Sequence, residues 1–141
     1  MTNRTFAIIK PDVIENQFTG LIYDRILKNN FKILCAKLLR ITKKQAEGFY
    51  SIHKNKPFFE ELTNFMSSGP CMVLALEKEM AVKEWRKTIG STNPKEAAEG
   101  TIRKDFATSL SQNAVHGSDS NENAEKEIAF FFSDSELIAN Q

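Results

Sequence analysis

Three short apolar segments, separated by stretches with helical patterning, constrain the fold more than any other feature of this sequence. Residues 5–9, 31–41 and 71–76 are rich in strand-forming side chains, and each is predicted to form a strand. The first segment stops at Pro11, because proline removes a backbone donor and disfavours a continuing strand. A last strand is predicted at the aromatic run 130–132.

Helical spacing fills the sequence between these segments. Residues 20–30 carry apolar side chains three and four positions apart, as on one face of a helix. Thr42 resembles an N-cap with Gln45 three residues later, a capping-box pattern that predicts a helix through Tyr50. Further helices are predicted at 56–66, 79–89 and 121–129.

The order of these elements predicts a ferredoxin-like split βαβ fold of the α/β (α+β) type. It consists of a four-stranded antiparallel sheet covered by helices. The chain of 141 residues fits one domain, 1–141. Residues 90–120 are polar and predicted to be mostly irregular, and a segment of that length is usually functional or disordered. A functional role is favoured because the segment holds Arg103, Asn113 and His116.

Composition limits the class of partner. A formal net charge of +1 argues against a nucleic-acid module that relies on a large basic face. Cys35 and Cys71 lie inside apolar runs and are predicted to be small buried side chains rather than zinc ligands. No apolar stretch approaches the length of a membrane span and no signal-peptide pattern is evident, so a cytoplasmic protein is expected.

His116 is the candidate nucleophile, since small and polar residues surround it in the segment 113–120. A neutral imidazole can attack a phosphoryl group to form a phosphohistidine, provided that its other nitrogen holds a proton against an acceptor such as Glu127. The pattern alone leaves a structural His-Gly turn and a solvent-facing Glu127 open. The other histidine, His53, is predicted to be a surface or packing residue.

Cationic and polar side chains suited to a phosphate are scattered along the chain. Lys10 follows the first strand, and Arg86 and Arg103 come later, although each alone is by default an ordinary surface cation. Thr92 and Asn113 are uncharged candidates for phosphate or ribose oxygens.

A nucleotide would have to be held by side chains, because the sequence contains neither a P-loop nor a kinase-type glycine loop. Phe58 is a candidate stacking surface for a base, or else a core residue. No carboxylate cage is evident in the sequence, so no metal-ligating residue is assigned and Mg²⁺ is expected to arrive on the nucleotide's phosphates.

Several motifs together resemble the nucleoside diphosphate kinase family. The segment 113–120, NAVHGSDS, is similar to that family's active-site signature and is highly specific. Other matching motifs cover nearly the whole chain and lie at 9–12, 56–59, 65–70, 92–94, 100–103 and 127–131. The chain departs from the family at Val13, where glycine is usual, and at Ile89, where methionine is usual.

The resemblance implies a ping-pong enzyme that uses ATP, other nucleoside triphosphates and nucleoside diphosphates, with Mg²⁺. His116 would take the γ-phosphate and pass it on, with Lys10 among the catalytic residues. Ser118 and Glu127 match the residues that position the histidine. The family forms homo-oligomers, either tetramers or hexamers, and needs no membrane and no nucleic acid.

The resemblance also implies a nucleotide site. Its residues are Lys10, Tyr50, Phe58, Leu62, Arg86, Thr92, Arg103 and Asn113. The base would stack on Phe58 near Leu62. Arg86, Thr92 and Arg103 would hold phosphates, while Lys10 and Asn113 would reach the sugar 3′-hydroxyl and phosphate region.

Two alternatives come from other classes of protein. One is a non-enzymatic split-βαβ module that binds nucleotides or RNA, which the near-neutral charge and the lack of an aromatic RNA-binding signature disfavour. The other is a phosphohistidine regulator that does not turn over nucleotides, which would not need the implied nucleotide-binding side chains.

Overall fold

A four-stranded antiparallel sheet forms the centre of the computed structural model, which describes residues 3–141. The strands are β1 (Arg4–Ile9), β2 (Lys32–Leu39), β3 (Cys71–Glu77) and β4 (Val115–Gly117). Their order across the sheet is β2-β3-β1-β4, so β1 is central and pairs with β3 on one side and β4 on the other. The predicted ferredoxin-like α+β arrangement is confirmed.

Helices connect the strands. They are α1 (Pro11–Glu15), α2 (Thr19–Lys28), α3 (Lys43–Phe49), α4 (Phe59–Met66), α5 (Ala81–Ile89), α6 (Ile102–Phe106), α7 (Asn121–Phe131) and α8 (Asp134–Ala139), with a 3₁₀ turn at Ser51–His53. None of the helices between residues 3 and 141 is long and apolar enough to cross a membrane.

Alternation along β1 divides the core between the two faces of the sheet. Phe6 and Ile8 pack with residues of α3, α4, α7 and α8. Ala7 and Ile9 pack on the opposite face with residues of α1, α2, α5 and α6. Because β1 is anchored on both faces, the residue that follows it has a well-defined position.

Local sequence signals for packing and capping are confirmed. Thr42 Oγ1 accepts from the backbone N–H of Gln45 at 3.0 Å, and the Gln45 side chain accepts from the backbone N–H of Thr42 at 2.8 Å. Cys35 and Cys71 are buried and unpaired. Val13 is buried in the core on the α2 side of the sheet, so the side chain that replaces the family's glycine packs as an ordinary apolar residue.

The strand predicted at 130–132 is wrong, because α7 continues through Phe131. Ala124 and Ile128 are both buried and lie four positions apart, which fits one face of a helix that continues to Phe131. The ring of Phe131 stacks on that of Phe6 at 5.5 Å between centroids. Packing against the sheet therefore overrides the strand preference of consecutive aromatic residues.

The fourth strand lies instead inside the segment 90–120, which was expected to be mostly irregular. That segment contains α6 and β4, and β4 includes His116. A strand of three residues carries no alternating pattern, and its extended form comes from pairing with β1. The short helices α1 and α8 were not predicted either, and the helix expected at 56–66 begins at Phe59.

Candidate active site

The end of β1 meets β4 and brings three predicted site residues together. The sheet register pairs Ile8 with His116. Directly after β1, the backbone N–H of Lys10 donates to the carbonyl of Ala114 at 2.9 Å. Lys10 Nζ donates to Asn113 Oδ1, also at 2.9 Å. Lys10, Asn113 and His116 are therefore neighbours although the first lies 103 positions before the second.

A carboxylate holds one nitrogen of the His116 ring. Nε2 of His116 lies 2.9 Å from Oε1 of Glu127 on α7. An ionised carboxylate can only accept, so in the neutral imidazole Nε2 carries the proton and the lone pair lies on Nδ1. Glu127 thus faces the histidine rather than solvent.

Ser118 fixes the position of that carboxylate. Its Oγ donates to Glu127 Oε1 at 2.7 Å and accepts from the backbone N–H of Phe6 at 3.2 Å. Ser118 is fully buried, and Phe6 belongs to the central strand. The sheet therefore orients His116 through Ser118 and Glu127 in turn.

Aromatic rings surround the imidazole on its other sides. The ring centroids of Phe6, Phe49 and Tyr50 lie 5.9, 5.5 and 6.2 Å from that of His116, all in edge-on arrangements. Tyr50 Oη is buried and has no hydrogen-bond partner among residues 3–141. Burial, assisted by the charge of Glu127, raises the pKa of Tyr50 above its ordinary value, so the phenol stays neutral.

The guanidinium of Arg103 is bound to the backbone around the site. It donates to the carbonyls of Gly90 at 3.0 Å, Asn113 at 3.3 Å and Val115 at 2.9 Å. Burial, together with the nearby charge of Arg86, lowers the pKa of Arg103 to about 10, which leaves it protonated at neutral pH. Arg103 therefore joins the end of α5 to both sides of Ala114 and keeps a positive charge there.

A cationic cavity opens at Gly117, the residue that follows the histidine. It has a volume of about 550 Å³, and its lining includes Arg86, Thr92, Arg103 and Gly117. Three of these are predicted phosphate-binding residues, and Gly117 directly follows His116. The cavity is suited to an anion of the size of a polyphosphate chain.

Lys10 is a buried cation at the edge of this site. Burial and the charge of Arg103 lower its pKa from 10.5 to about 8, against the opposing effect of the Asp12 carboxylate. A buried ammonium with one side-chain partner retains capacity for further acceptors.

Phe58 and Leu62 lie further out. Phe58 is 47% exposed, and its ring contacts that of His53 at 5.6 Å. Leu62 is half-buried and packs against the core. The contact with Phe58 agrees with the surface or packing role predicted for His53, and Lys56 Nζ lies over the Phe58 ring, 5.8 Å from its centroid.

Sequence reasoning missed three side chains that support the site. Asp12 Oδ2 accepts from the backbone N–H of Ala114 at 3.2 Å, and Trp85 Nε1 donates to the carbonyl of His116 at 3.1 Å. Phe49 packs against the imidazole. The matched motif 9–12 contained Asp12, but neither the sequence position of Trp85 nor that of Phe49 indicates a partner more than thirty residues away.

The fold and the site define a ferredoxin-like α+β protein with a carboxylate-oriented histidine beside a cationic cavity. The family model described as nucleoside diphosphate kinase matches residues 3–137, and the chain belongs to that family. Membership identifies it as a nucleotide-binding phosphotransferase and disfavours the non-enzymatic alternative.

Individual relatives agree. A nucleoside diphosphate kinase of Salinibacter ruber is 50% identical over 139 residues, which cover 99% of this chain and 98% of that protein. One of Pelobacter propionicus is 54% identical over 135 residues, covering 96% and 98%.

Solved structures show the same fold. The Aquifex aeolicus nucleoside diphosphate kinase superposes with a TM-score of 0.93 at 44% identity, covering 95% of this chain and 97% of that one. The Halobacterium salinarum nucleoside diphosphate kinase, solved in complex with CDP, gives 0.91 at 37% identity, covering 96% and 91%.

Proposed function

We propose that His116 carries the phosphoryl group from a nucleoside triphosphate, mainly ATP, to a nucleoside diphosphate. The observation behind this proposal is the hydrogen bond between Nε2 of His116 and Glu127, because it leaves the Nδ1 lone pair as the nucleophile. The next residue, Gly117, lines the cationic cavity.

The transfer takes place in two balanced steps. In the first, Nδ1 forms a bond to the γ-phosphorus while the bond to the β-phosphate oxygen breaks, and the nucleoside diphosphate leaves with that electron pair. In the second, a terminal oxygen of another nucleoside diphosphate attacks the same phosphorus and the N–P bond breaks. Nε2 keeps its proton throughout, and the Glu127 carboxylate balances the positive charge that develops on the ring.

Side chains would bind each part of the nucleotide. Arg86, Thr92 and Arg103 line the cavity and are assigned to the phosphates. Lys10 and Asn113, joined by their hydrogen bond, are assigned to the sugar 3′-hydroxyl and phosphate region.

The base is assigned to the exposed face of Phe58, with Leu62 nearby. Tyr50 lies next to the histidine, with 6.2 Å between the two ring centroids. Few contacts with the base edge are expected, and therefore broad acceptance of different bases.

Mg²⁺ is proposed to enter on the nucleotide. Among residues 3–141, no group of three or more His, Cys, Asp or Glu side chains is arranged to hold a metal, and the donors that fit Mg²⁺ are the phosphate oxygens themselves. When bound, Mg²⁺ would neutralise phosphate charge, while Arg86 and Arg103 would position the polyphosphate of the nucleotide.

We further propose that residues 1–141 act as one domain in a cytoplasmic homo-oligomer, either a tetramer or a hexamer. The resemblance to the family supports the homo-oligomer, and the family model over residues 3–137 supports a single domain. β2 is an edge strand of the sheet and carries an exposed Leu38, which suits association between copies. Light scattering on the purified chain distinguishes the two assemblies by mass.

Labelling tests the catalytic proposal. Wild-type protein incubated with γ-labelled ATP and Mg²⁺ should take up an acid-labile, alkali-stable label, and added GDP should remove that label as GTP. His116→Ala should take up no label, whereas His53→Ala, which removes the other histidine, should label normally. Absence of label on wild type, or label that GDP does not discharge, overturns the proposal.

A further inference from the structure

We propose that Asp12 is a positioning residue for phosphoryl transfer, because its carboxylate holds the strained turn that presents Asn113 and His116 to the substrate. This inference deepens the function proposed above and rests on it.

The turn centres on Ala114. Its φ is 75°, in the left-handed region that side chains other than glycine rarely adopt. The backbone N–H of Val115 donates to the carbonyl of Asn113 at 2.9 Å, which closes a three-residue γ-turn around Ala114. With a positive φ at its central residue this γ-turn is the rare and strained form, so it persists only where the surroundings hold it.

The segment after β1 supplies that restraint. The carbonyl of Ala114 accepts from the backbone N–H of Lys10 at 2.9 Å, and the N–H of Ala114 donates to Asp12 Oδ2 at 3.2 Å. Both polar groups of the strained residue are therefore held by the same short stretch. Of these two contacts, the one with Lys10 is made by the backbone and the one with Asp12 by a side chain.

The location of the turn makes this restraint functional. Asn113 immediately precedes Ala114 and accepts from Lys10 Nζ. His116 follows two residues later in a strand of only three residues. A relaxation of the turn would therefore displace Asn113 and shift His116 relative to Glu127.

Burial of the Asp12 carboxylate costs free energy, so a contribution to stability does not account for this residue. The side chain is buried, and Oδ1 has no hydrogen-bond partner among residues 3–141. Burial accordingly raises the pKa of Asp12. The Asp12 carboxylate faces Lys10 and opposes the lowering of the Lys10 pKa. The other charged neighbour of Lys10 is Arg103. Asp12 thus also keeps the ammonium charged.

Two substitutions separate geometry from charge. Asp12→Ala removes both the acceptor for the Ala114 N–H and the negative charge. Asp12→Asn removes the charge but keeps an oxygen that can accept from Ala114. We expect Asp12→Ala to lower kcat by roughly ten- to a hundred-fold, since each factor of ten corresponds to about 1.4 kcal/mol of lost transition-state stabilisation. Asp12→Asn should lose less at neutral pH, and the alkaline limb of its pH profile should move to lower pH. Glu15→Gln, an exposed acid on the same helix, is the matched control.

A rescue experiment tests whether Asp12 acts through the turn at Ala114. Glycine adopts a positive φ without strain, so Ala114→Gly in the Asp12→Ala background should recover part of the lost kcat. Hydrogen exchange should show loss of protection at the Ala114 amide in Asp12→Ala, a readout independent of activity.

The outcomes distinguish the two proposals. Wild type that takes no label from ATP overturns the proposed function and this role with it. Normal wild-type labelling, with kcat of Asp12→Ala within two-fold of wild type or with no rescue by Ala114→Gly, overturns the role of Asp12 alone.

Discussion

Trp85 and His116 are joined by a hydrogen bond from the indole Nε1 to the backbone carbonyl, 3.1 Å long. The imidazole is bound at the opposite end by Glu127. The histidine is thus restrained through both its main chain and its side chain, by α5 and α7 respectively. Restraint of this kind keeps a nucleophile near one geometry and reduces the entropy lost when it reacts.

Glu127→Gln should slow phosphorylation of His116 by about ten-fold or more, because a neutral amide cannot balance the charge that develops on the ring. The change is nearly isosteric, so the fold should be unaffected. Rapid-quench measurement of label uptake from γ-labelled ATP provides the rate. Glu125→Gln alters an exposed acid on the same helix and should leave that rate unchanged. Equal rates in wild type and Glu127→Gln would refute a role for the carboxylate.

Trp85→Phe should lower the free energy of unfolding by about 1–3 kcal/mol, since it removes the donor to the His116 carbonyl and some packing volume. The T-shaped contact between Trp85 and Phe31, at 5.5 Å, can be kept by the smaller ring. Urea denaturation followed by circular dichroism measures the change. A variant as stable as wild type would show that the hydrogen bond contributes nothing.

Much of this architecture follows from local sequence. The capping box at Thr42 and the apolar segments that became β1, β2 and β3 are encoded by neighbouring residues, so they were predicted. β4 was not, because a three-residue strand depends on its pairing with β1, more than one hundred residues away.

In the candidate site, too, some residues can be predicted from local sequence and others cannot. His116, Glu127, Lys10 and Arg103 belong to recognisable motifs, whereas the role proposed for Asp12 depends on a positive φ at an alanine. No local pattern predicts that conformation at a residue with a Cβ. Long-range contacts, rather than residue types, were the missing information.

Gly117→Ala should destabilise the fold, because an added Cβ would lie 2.8 Å from Cδ1 of Trp85 and 3.0 Å from Cδ1 of Ile89. Overpacking of this kind costs about 1–3 kcal/mol. Gly20→Ala is a control with the opposite sign: nothing lies within 4 Å of the added Cβ, and alanine is favoured over glycine within a helix.

Thermal unfolding of both glycine variants tests this packing argument. Gly117→Ala should melt below wild type and Gly20→Ala at or above it. In the Trp85→Phe background the effect of Gly117→Ala should shrink, since the two sites are in contact. Additive effects would contradict the close approach of the indole to Gly117.

Alkaline pH should weaken phosphoryl transfer while it stabilises the fold, because both effects depend on the charge of Lys10. The pKa of Lys10 is lowered by burial from 10.5 to about 8 in the folded chain. Between these values the unfolded chain retains a proton that the folded chain has released, so the contribution of Lys10 to the free energy of unfolding rises with pH. Over the same range the site loses a positive charge proposed to face the phosphate.

Lys10→Met tests this linkage because it keeps an unbranched stem without the charge. Urea denaturation across the pH window between the two pKa values should show a shallower rise in stability for Lys10→Met than for wild type. Lys28→Met, which removes an exposed lysine paired with Asp24, should keep the wild-type slope. The alkaline decline of wild-type kcat/KM should fall near the folded pKa of Lys10, because kcat/KM reports the groups of the free enzyme. Identical slopes in wild type and Lys10→Met would mean that Lys10 is charged in both states, and would contradict the lowered pKa of Lys10 in the folded chain.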